Sequence, residues 1–396
     1  MSRPIPELPA ATPLQRLLGA ELEKLRAEGL YRSRRCLEGK QGARIGIDGR
    51  TLVSFASNDY LGLASDPRII AAACAGAQRY GVGAGASHLL YGHGSAHEEL
   101  EATLADFVGY PRALLFSTGY MANAGVITAL CGRDDALFCD RLNHASLNDA
   151  MILSRARFQR YPHLDLDRLE QLLRASRARR RLVVTDAVFS MDGDLAPVPQ
   201  LLQLCERHDA LLLLDDAHGF GVLGAQGAGI LSHFGVASGR IVYMGTLGKA
   251  AGVHGAFVAA DAALIELLIN RARTYVYTTA SPPLLAAALL ASLAIVRTEQ
   301  WRRERLARLV GLLSAAAATL PGKLLASCTA IQPLVLGSAR AATEAMESLA
   351  GQGFIVPAVR PPTVPRGSAR LRISLSAAHD ASDVERLLAA LRALPQ

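Results

Sequence analysis

From Ala113 onward, short apolar runs recur between stretches whose apolar positions fall at helical spacing. The runs 113–116, 135–139, 156–160, 181–186, 210–215, 240–244 and 254–259 read as strands, and 120–131, 145–154, 165–176 and 198–208 as the helices between them. Runs such as Leu211–Leu214 show no polar alternation, which suits strands covered on both faces. Strand–helix alternation of this kind marks α/β layers around a mostly parallel sheet. Beyond Asp261 the rhythm changes to a long helical region, 281–318, followed by strands near 330–336, 354–359 and 369–375 and helices near 339–351 and 381–393. Upstream, residues 1–20 are rich in Pro and Ala and are expected to be partly loose. Glu21–Gly29 has an amphipathic helical composition, Thr51–Phe55 reads as a strand, and Asp66-Pro67 opens a helix running to about Tyr80. The predicted fold is α/β, a mostly parallel central sheet with helices on both faces plus a small C-terminal α+β domain. The expected divisions are 1–56, 57–300 and 301–396.

Composition narrows the class without changing that picture. At 396 residues and 51% hydrophobic, the chain can bury a large core. Its charge, 42 − 35 = +7, sits partly in the Arg runs 177–181 and 302–308, which lack the interleaved aromatics of a nucleic-acid stacking platform. No two of the six Cys stand at C-x-x-C spacing, so they read as reduced core residues of a cytoplasmic protein. The N-terminus lacks the pattern of a signal peptide, and the longest apolar run, Leu284–Val296, is thirteen residues against the roughly 20 a membrane span needs. That run is expected as a buried helix or part of a subunit interface.

Candidate chemistry collects at strand ends. The run 240–244 stops at a Gly-Thr-Leu-Gly turn that presents Lys249 beside Gly248, Ala250 and Ala251, leaving room for a planar ligand. A desolvated Lys is an amine nucleophile, although a surface Lys on a loop fits this segment equally well. A P-loop is excluded by Tyr243 and Ala250, which occupy positions that would need Gly and Ser or Thr. Ser117–Tyr120 follows one strand and opens a helix, an arrangement suited to phosphate. Asn143–Ser146 follows the next strand, and Asp215–His218 ends the run 210–215. Ligands of open α/β sheets bind outside such carboxyl ends. Asp215 reads either as a helix cap or as a carboxylate paired with a cationic heterocycle nitrogen. Gly219–Gly224 matches G-x-G-x-x-G but does not follow its strand directly. His93 and His97 stand one helical turn apart without an H-E-x-x-H pattern, and no metal is expected.

Six segments carry a resemblance: S-N-D-Y-L-G-L (57–63), R-L-N-H-A-S-L (141–147), V-F-S-M-D-G-D (188–194), D-D-A-H-G-F-G (215–221), G-T-L-G-K (245–249) and R-P-P-T-V-P-R-G-S-A-R-L-R (360–372). Over about residues 20–390 the chain resembles the α-oxoamine synthase family of pyridoxal-phosphate enzymes, of the aspartate-aminotransferase fold (fold type I). The last segment, with A-I-Q-P-L (330–334), is most similar to the branch that condenses L-alanine with a pimeloyl thioester, on CoA or acyl carrier protein, in biotin synthesis. The resemblance implies a homodimer with shared active sites and a set of roles. Lys249 would be the Schiff-base lysine and general base, Asp215 the partner of the pyridine nitrogen, and His144 the group stacked on the ring. His218 and Ser190 would lie near the phenolic oxygen. Gly119, Tyr120 and Thr246 would hold the phosphate, helped by Thr279 of a second subunit. Asn58 and Arg360 would take the amino-acid carboxylate, and Arg32 and Thr363 would line the acyl side. Tyr120 departs from the commoner Phe, and 88–97 follows no pattern matched closely. A sister synthase acting on other substrates and a non-enzymatic nucleotide-binding module remain as alternatives.

Overall fold

The computed structural model describes residues 12–28 and 30–394. The chain opens with α1 (Pro13–Ala27), the hairpin β1 (Arg44–Ile47) and β2 (Arg50–Ser54), and two helices, α2 (Pro67–Tyr80) and α3 (Ser95–Val108). Then follow β3 (Arg112–Phe116), α4 (Gly119–Leu130), β4 (Ala136–Asp140), α5 (Ala145–Leu153), β5 (Arg157–Tyr161), α6 (Leu166–Ala175), β6 (Arg181–Asp186), α7 (Val198–Arg207) and β7 (Leu211–Asp215). The short α8 (Ile230–Phe234) leads to β8 (Ile241–Thr246) and β9 (Ala256–Ala260).

β3 to β9 form one seven-stranded sheet in the order β3-β9-β8-β7-β6-β4-β5. Only β9 runs against its neighbours, pairing antiparallel with β3 and β8, while the pairs from β8 across to β5 are parallel. The mostly parallel sheet is therefore as expected, and the non-alternating strands are buried along both faces; β8 and β9 have no exposed residue. The crossovers place their helices on both sides, so every parallel strand ends at the same edge.

After β9 come α9 (Ala262–Arg271), α10 (Arg273–Val276), α11 (Pro283–Thr298) and α12 (Gln300–Ala315). The helical region 281–318 is thus two helices, bent by 67° at a break around Glu299. The run Leu284–Val296 lies in α11, and seven of the helix's residues, including Leu289, Leu293 and Val296, are buried within this one chain. No single helix among the described residues is long and apolar enough to cross a membrane.

The C-terminal part contains β10 (Lys323–Leu324), β11 (Ile331–Gly337), α13 (Ala339–Gly351), β12 (Phe354–Ile355), β13 (Ala358–Val359), β14 (Ala369–Ser374) and α14 (Ala381–Arg392). The single strand expected over 354–359 is two short ones in different sheets: β12 pairs parallel with β2, and β13 pairs with β14. Pro357, which has no N–H to donate, separates them. The β2–β12 pairing also joins the N-terminal segment to the C-terminal one in space.

Two further expectations are corrected. The first helix begins at Pro13 rather than Glu21, because Thr12 and Gln15 form a capping box ahead of it; residues 1–11 and Gly29 lie outside the described residues. Of the six free cysteines only Cys131, Cys139 and Cys205 are buried, while Cys36, Cys74 and Cys328 are exposed.

Candidate active site

A cavity of about 190 Å³ lies at the carboxyl edge of the central sheet. It is lined by Gly119 and Tyr120 at the start of α4, His144 and Ser146 at the start of α5, and Asp186 and Asp215 at the ends of β6 and β7. Ala217 and His218 follow β7, Met244 and Thr246 belong to β8, and Lys249 stands on the turn after it. Seven residues singled out in the sequence are thereby brought together: Gly119, Tyr120, His144, Asp215, His218, Thr246 and Lys249.

Lys249 carries the reactive amine. Burial lowers its pKa to about 8, with Asp215 and Asp186 pulling the other way and Arg372 reinforcing the drop. Its Nζ lies 2.8 Å from Nε2 of buried His218, whose Nδ1 lies 2.7 Å from the Tyr60 hydroxyl. Tyr60 donates onward to Asn58 Oδ1 at 3.1 Å, so it accepts from His218 Nδ1, and His218 Nε2 is left as acceptor for the lysine. Burial, with Lys249 and Arg372 nearby, holds His218 well below the usual imidazole range and so neutral.

Asp215 and Asp216 leave β7 in opposite directions. Asp216 is wholly buried, accepts from Ile230 N and the Tyr243 hydroxyl, and is pushed by burial up to about 7. Gly229 must stay glycine there: its φ is +93°, and a Cβ would fall 2.3 Å from Asp216 Oδ2. Asp215 faces the cavity, accepting from Asn123 Nδ2 at 2.7 Å and from the Ala217 N–H at 3.0 Å. His144 caps α5: its Nδ1 accepts from the Ser146 N–H at 3.3 Å and lies 2.8 Å from Ser146 Oγ, and its own N–H donates to Asp186 Oδ2 at 2.6 Å. The residue keeps one side open in the single chain, while its imidazole at the cavity wall is partly desolvated, which lowers its pKa. At the far wall, helix geometry leaves the first-turn N–H groups of Gly119 and Tyr120 without intrahelical acceptors, a ready anion cradle.

The remaining candidates are placed differently. Ser190 and Asn58 stand behind the cavity wall, joined by Arg372: its Nε donates to the Ser190 carbonyl at 2.6 Å, and its Nη1 reaches Ser374 Oγ at 2.7 Å and Asn58 Oδ1 at 3.5 Å. Arg360 is not brought to the cavity; its guanidinium reaches Thr343 on α13 at 3.5 Å. Arg372, buried and acting electrostatically on Lys249, joins Arg360 as a candidate for the substrate carboxylate. Arg32 and Thr363 are exposed and outside the lining, and exposed Thr279 pairs through its backbone with Ser87.

Tyr60, Asn123, Asp186 and Arg372 were missed. Tyr60 and Arg372 lie inside two of the six segments that carry the resemblance, which was the available signal; Asp186 ends an apolar strand as Asp215 does. Among the histidines of 88–97, His97 is used up structurally, accepting from the Gly94 N–H at 3.0 Å and donating to the Ser281 carbonyl at 2.8 Å.

The class I and II aminotransferase family model matches residues 50–391. The chain is 62% identical over 380 residues to an 8-amino-7-oxononanoate synthase of Nitrosomonas eutropha, covering 95% of this chain and 98% of that one. It is 58% identical to the 8-amino-7-oxononanoate synthase of Methylobacillus flagellatus, with 98% of each covered. Among solved structures, a Sphingomonas wittichii serine palmitoyltransferase superposes with a TM-score of 0.91 at 30% identity, covering 97% of this chain and 98% of the other. The 8-amino-7-oxononanoate synthase of Francisella tularensis superposes with a TM-score of 0.75 at 30% identity, covering 86% and 97%. A further serine palmitoyltransferase structure holds a PLP internal aldimine. The chain belongs to the class I and II aminotransferase family and, within it, to the 8-amino-7-oxononanoate synthases.

Proposed function

We infer that the protein uses pyridoxal phosphate to condense L-alanine with a pimeloyl thioester, giving 8-amino-7-oxononanoate, CO2 and free thiol for biotin synthesis. The observation that carries this is the convergence on one cavity of a desolvated amine, a carboxylate and a helix N-terminus, in a chain 62% identical to a synthase of that name. The residues fit the cofactor. Lys249 offers an amine for its aldehyde, Asp215 a carboxylate for its ring nitrogen, the open face of His144 a surface for its ring, and Gly119, Tyr120 and Thr246 donors for its phosphate. When bound, pyridoxal phosphate supplies an electron sink for the charge that develops at the substrate Cα.

The protein's own groups do the rest. Lys249, whose pKa is lowered to about 8 so that a fraction is neutral near neutral pH, takes the Cα proton and returns it. His218 receives a hydrogen from the lysine and orients it, with Tyr60 fixing the imidazole from behind. Asp215 keeps a proton at the ring nitrogen. The alanine carboxylate is assigned to Asn58 with Arg372 beside it, Arg360 being the alternative cation that the resemblance implies. Ser190 is assigned to the phenolic-oxygen side, and Arg32 and Thr363 to the acyl chain. The protein acts as a homodimer in which Thr279 reaches the partner's phosphate, works in the cytoplasm, and takes its acyl group from CoA or acyl carrier protein. Mass spectrometry of the product from alanine with pimeloyl-CoA, beside glycine and serine with other acyl-CoAs, tests the activity. A product from glycine or serine in preference to alanine would assign the chain to a sister reaction.

A further inference from the structure

Asn123 does not line the cavity, yet it holds two groups that do. It sits one turn into α4, wholly buried, and its Nδ2 donates to Asp215 Oδ2 at 2.7 Å and to Ser146 Oγ at 2.9 Å. Both amide hydrogens are thereby committed. Its Oδ1 is buried without any hydrogen-bond partner, a standing cost that few buried groups carry. The obvious relief is unavailable, because turning the amide over would aim that oxygen at the Asp215 carboxylate. An orphaned carbonyl is thus the consequence of delivering both hydrogens.

The hydrogen bonds leading on from Asn123 have a fixed direction. Ser146 Oγ accepts from Asn123, so its own hydrogen goes to His144 Nδ1, 2.8 Å away. The Ser146 N–H converges on the same nitrogen. Nδ1 is then an acceptor, and the ring proton of His144 belongs on Nε2. The groups facing this imidazole are Asp215 and Asp149, which favour its charge, and Lys249, which opposes it together with burial; Asp186 engages its backbone N–H.

We propose that Asn123 is a positioning residue that sets two hydrogen-bonding patterns at once. It keeps Asp215 oriented as an acceptor toward the cavity, and through Ser146 it holds His144 as the neutral Nε2–H tautomer. The inference rests on the assignment of Asp215 and His144 as cofactor-facing groups. It explains why the helix whose first turn cradles an anion carries, one turn later, an amide that arranges the opposite wall.

The test uses the protein without cofactor, so that it does not depend on the reaction. Histidine 15N–1H NMR across pH, with the His144 signals assigned by their loss in His144→Gln, reads tautomer and midpoint directly. In Asn123→Ala the Ser146 hydroxyl is free to turn and accept from Nδ1–H. The His144 midpoint should then rise by about one unit, with the Nε2–H tautomer weakened to what the 3.3 Å bond from the Ser146 N–H alone can hold. Ser146→Ala should move it the same way, and the double variant should match Ser146→Ala alone. In loaded enzyme, Asn123→Ala should slow deuterium exchange at alanine Cα about tenfold with the KM for the thioester unchanged. If Asn123→Ala folds with the wild-type His144 midpoint and tautomer, the proposal is overturned. If Asn123→Ala does not fold, Ser146→Ala decides alone: an unchanged His144 titration overturns the proposal, and a raised midpoint supports it. The expected NMR shift together with full turnover in Asp215→Asn would leave the network standing and remove the assignment of the site.

Discussion

Lys249 and Glu101 are both driven by burial to a pKa of about 8, the amine from above and the carboxyl from below. Each stands near two histidines: Lys249 near His218 and His144, and Glu101 in the neighbourhood of His93 and His97. The first lines the site cavity. Glu101 is held at the rear by the Leu115 N–H, with His93 4.0 Å off, and His93 turns toward exposed Glu98 and toward His88. His88 in turn stacks on Tyr275. A perturbed pKa therefore does not mark a site here. What separates the two regions is whether partners saturate the group or leave one face open to a ligand.

The comparison breaks most sharply at the lysine. Lys249→Ala should lower condensation of alanine with pimeloyl-CoA by at least about 10⁴-fold, since general-base catalysis and cofactor attachment are lost together. Turnover of the purified, cofactor-loaded variant is the measurement, and activity near wild type would place Lys249 with Glu101 as a buried bystander. Asp215→Asn should keep cofactor yet slow deuterium exchange at alanine Cα by about 100-fold or more, because an amide cannot hold the ring proton; wild-type exchange would mark Asp215 as a turn-forming residue only.

Arg372→Lys should weaken alanine binding about tenfold or more, given about 1.5–3 kcal/mol for a charge-assisted bond and the loss of a planar fork. Arg360→Lys should stay within about twofold. A titration of the cofactor absorbance with alanine compares them, and the reverse ranking would give the carboxylate to Arg360. The amine also predicts a pH effect: cofactor uptake by the apo protein should rise with pH to a midpoint near 8 as Lys249 loses its proton. A midpoint near 10 would mean a solvated lysine.

The smallest effect belongs to the other region. The folded-state pKa of Glu101 lies above its unfolded value of 4.5, so the folded state favours the protonated form. That stabilisation is complete below about 4.5 and is lost as pH rises toward 8. Glu101→Gln keeps an oxygen for the Leu115 N–H. Urea unfolding of the variant should therefore show a flatter stability curve between those pH values, with unchanged turnover. A slope equal to wild type would locate the pH dependence elsewhere.

The half of the site that follows strand ends was legible in the sequence. Asp215 ends an apolar run, and His144 and Lys249 stand on the short turns that follow such runs, which announce their own ends. The half supplied by distant packing was not. Arg372 sits inside β14 with six buried positions in a row, where nothing local separates it from Arg370, which binds Asp192 instead. Arg360 came from the resemblance, and its guanidinium lies against Thr343 of α13 outside the cavity lining. Asn123 looks like any polar residue in a helix until β7 is laid beside it. In the fold, the mostly parallel sheet followed from periodicity, and the edge carrying the site from the rule that ligands bind outside the carboxyl ends of such strands. The breaks at Glu299 and Pro357 did not, because both lie within continuous helical or strand-like composition.

Arg372 belongs to the C-terminal four-stranded sheet but is moored to the Ser190 carbonyl, beyond the end of β6, while Lys249 and Asp215 belong to the central sheet. Inheritance of the two capacities is consequently separable. The groups proposed to break a Cα–H bond are written in the middle of the gene, and the cation proposed to hold the substrate carboxylate is written far downstream of them. A lineage could exchange that downstream piece with a sister synthase and keep the proton-transfer groups intact, provided the exchanged piece still docks against the Ser190 loop.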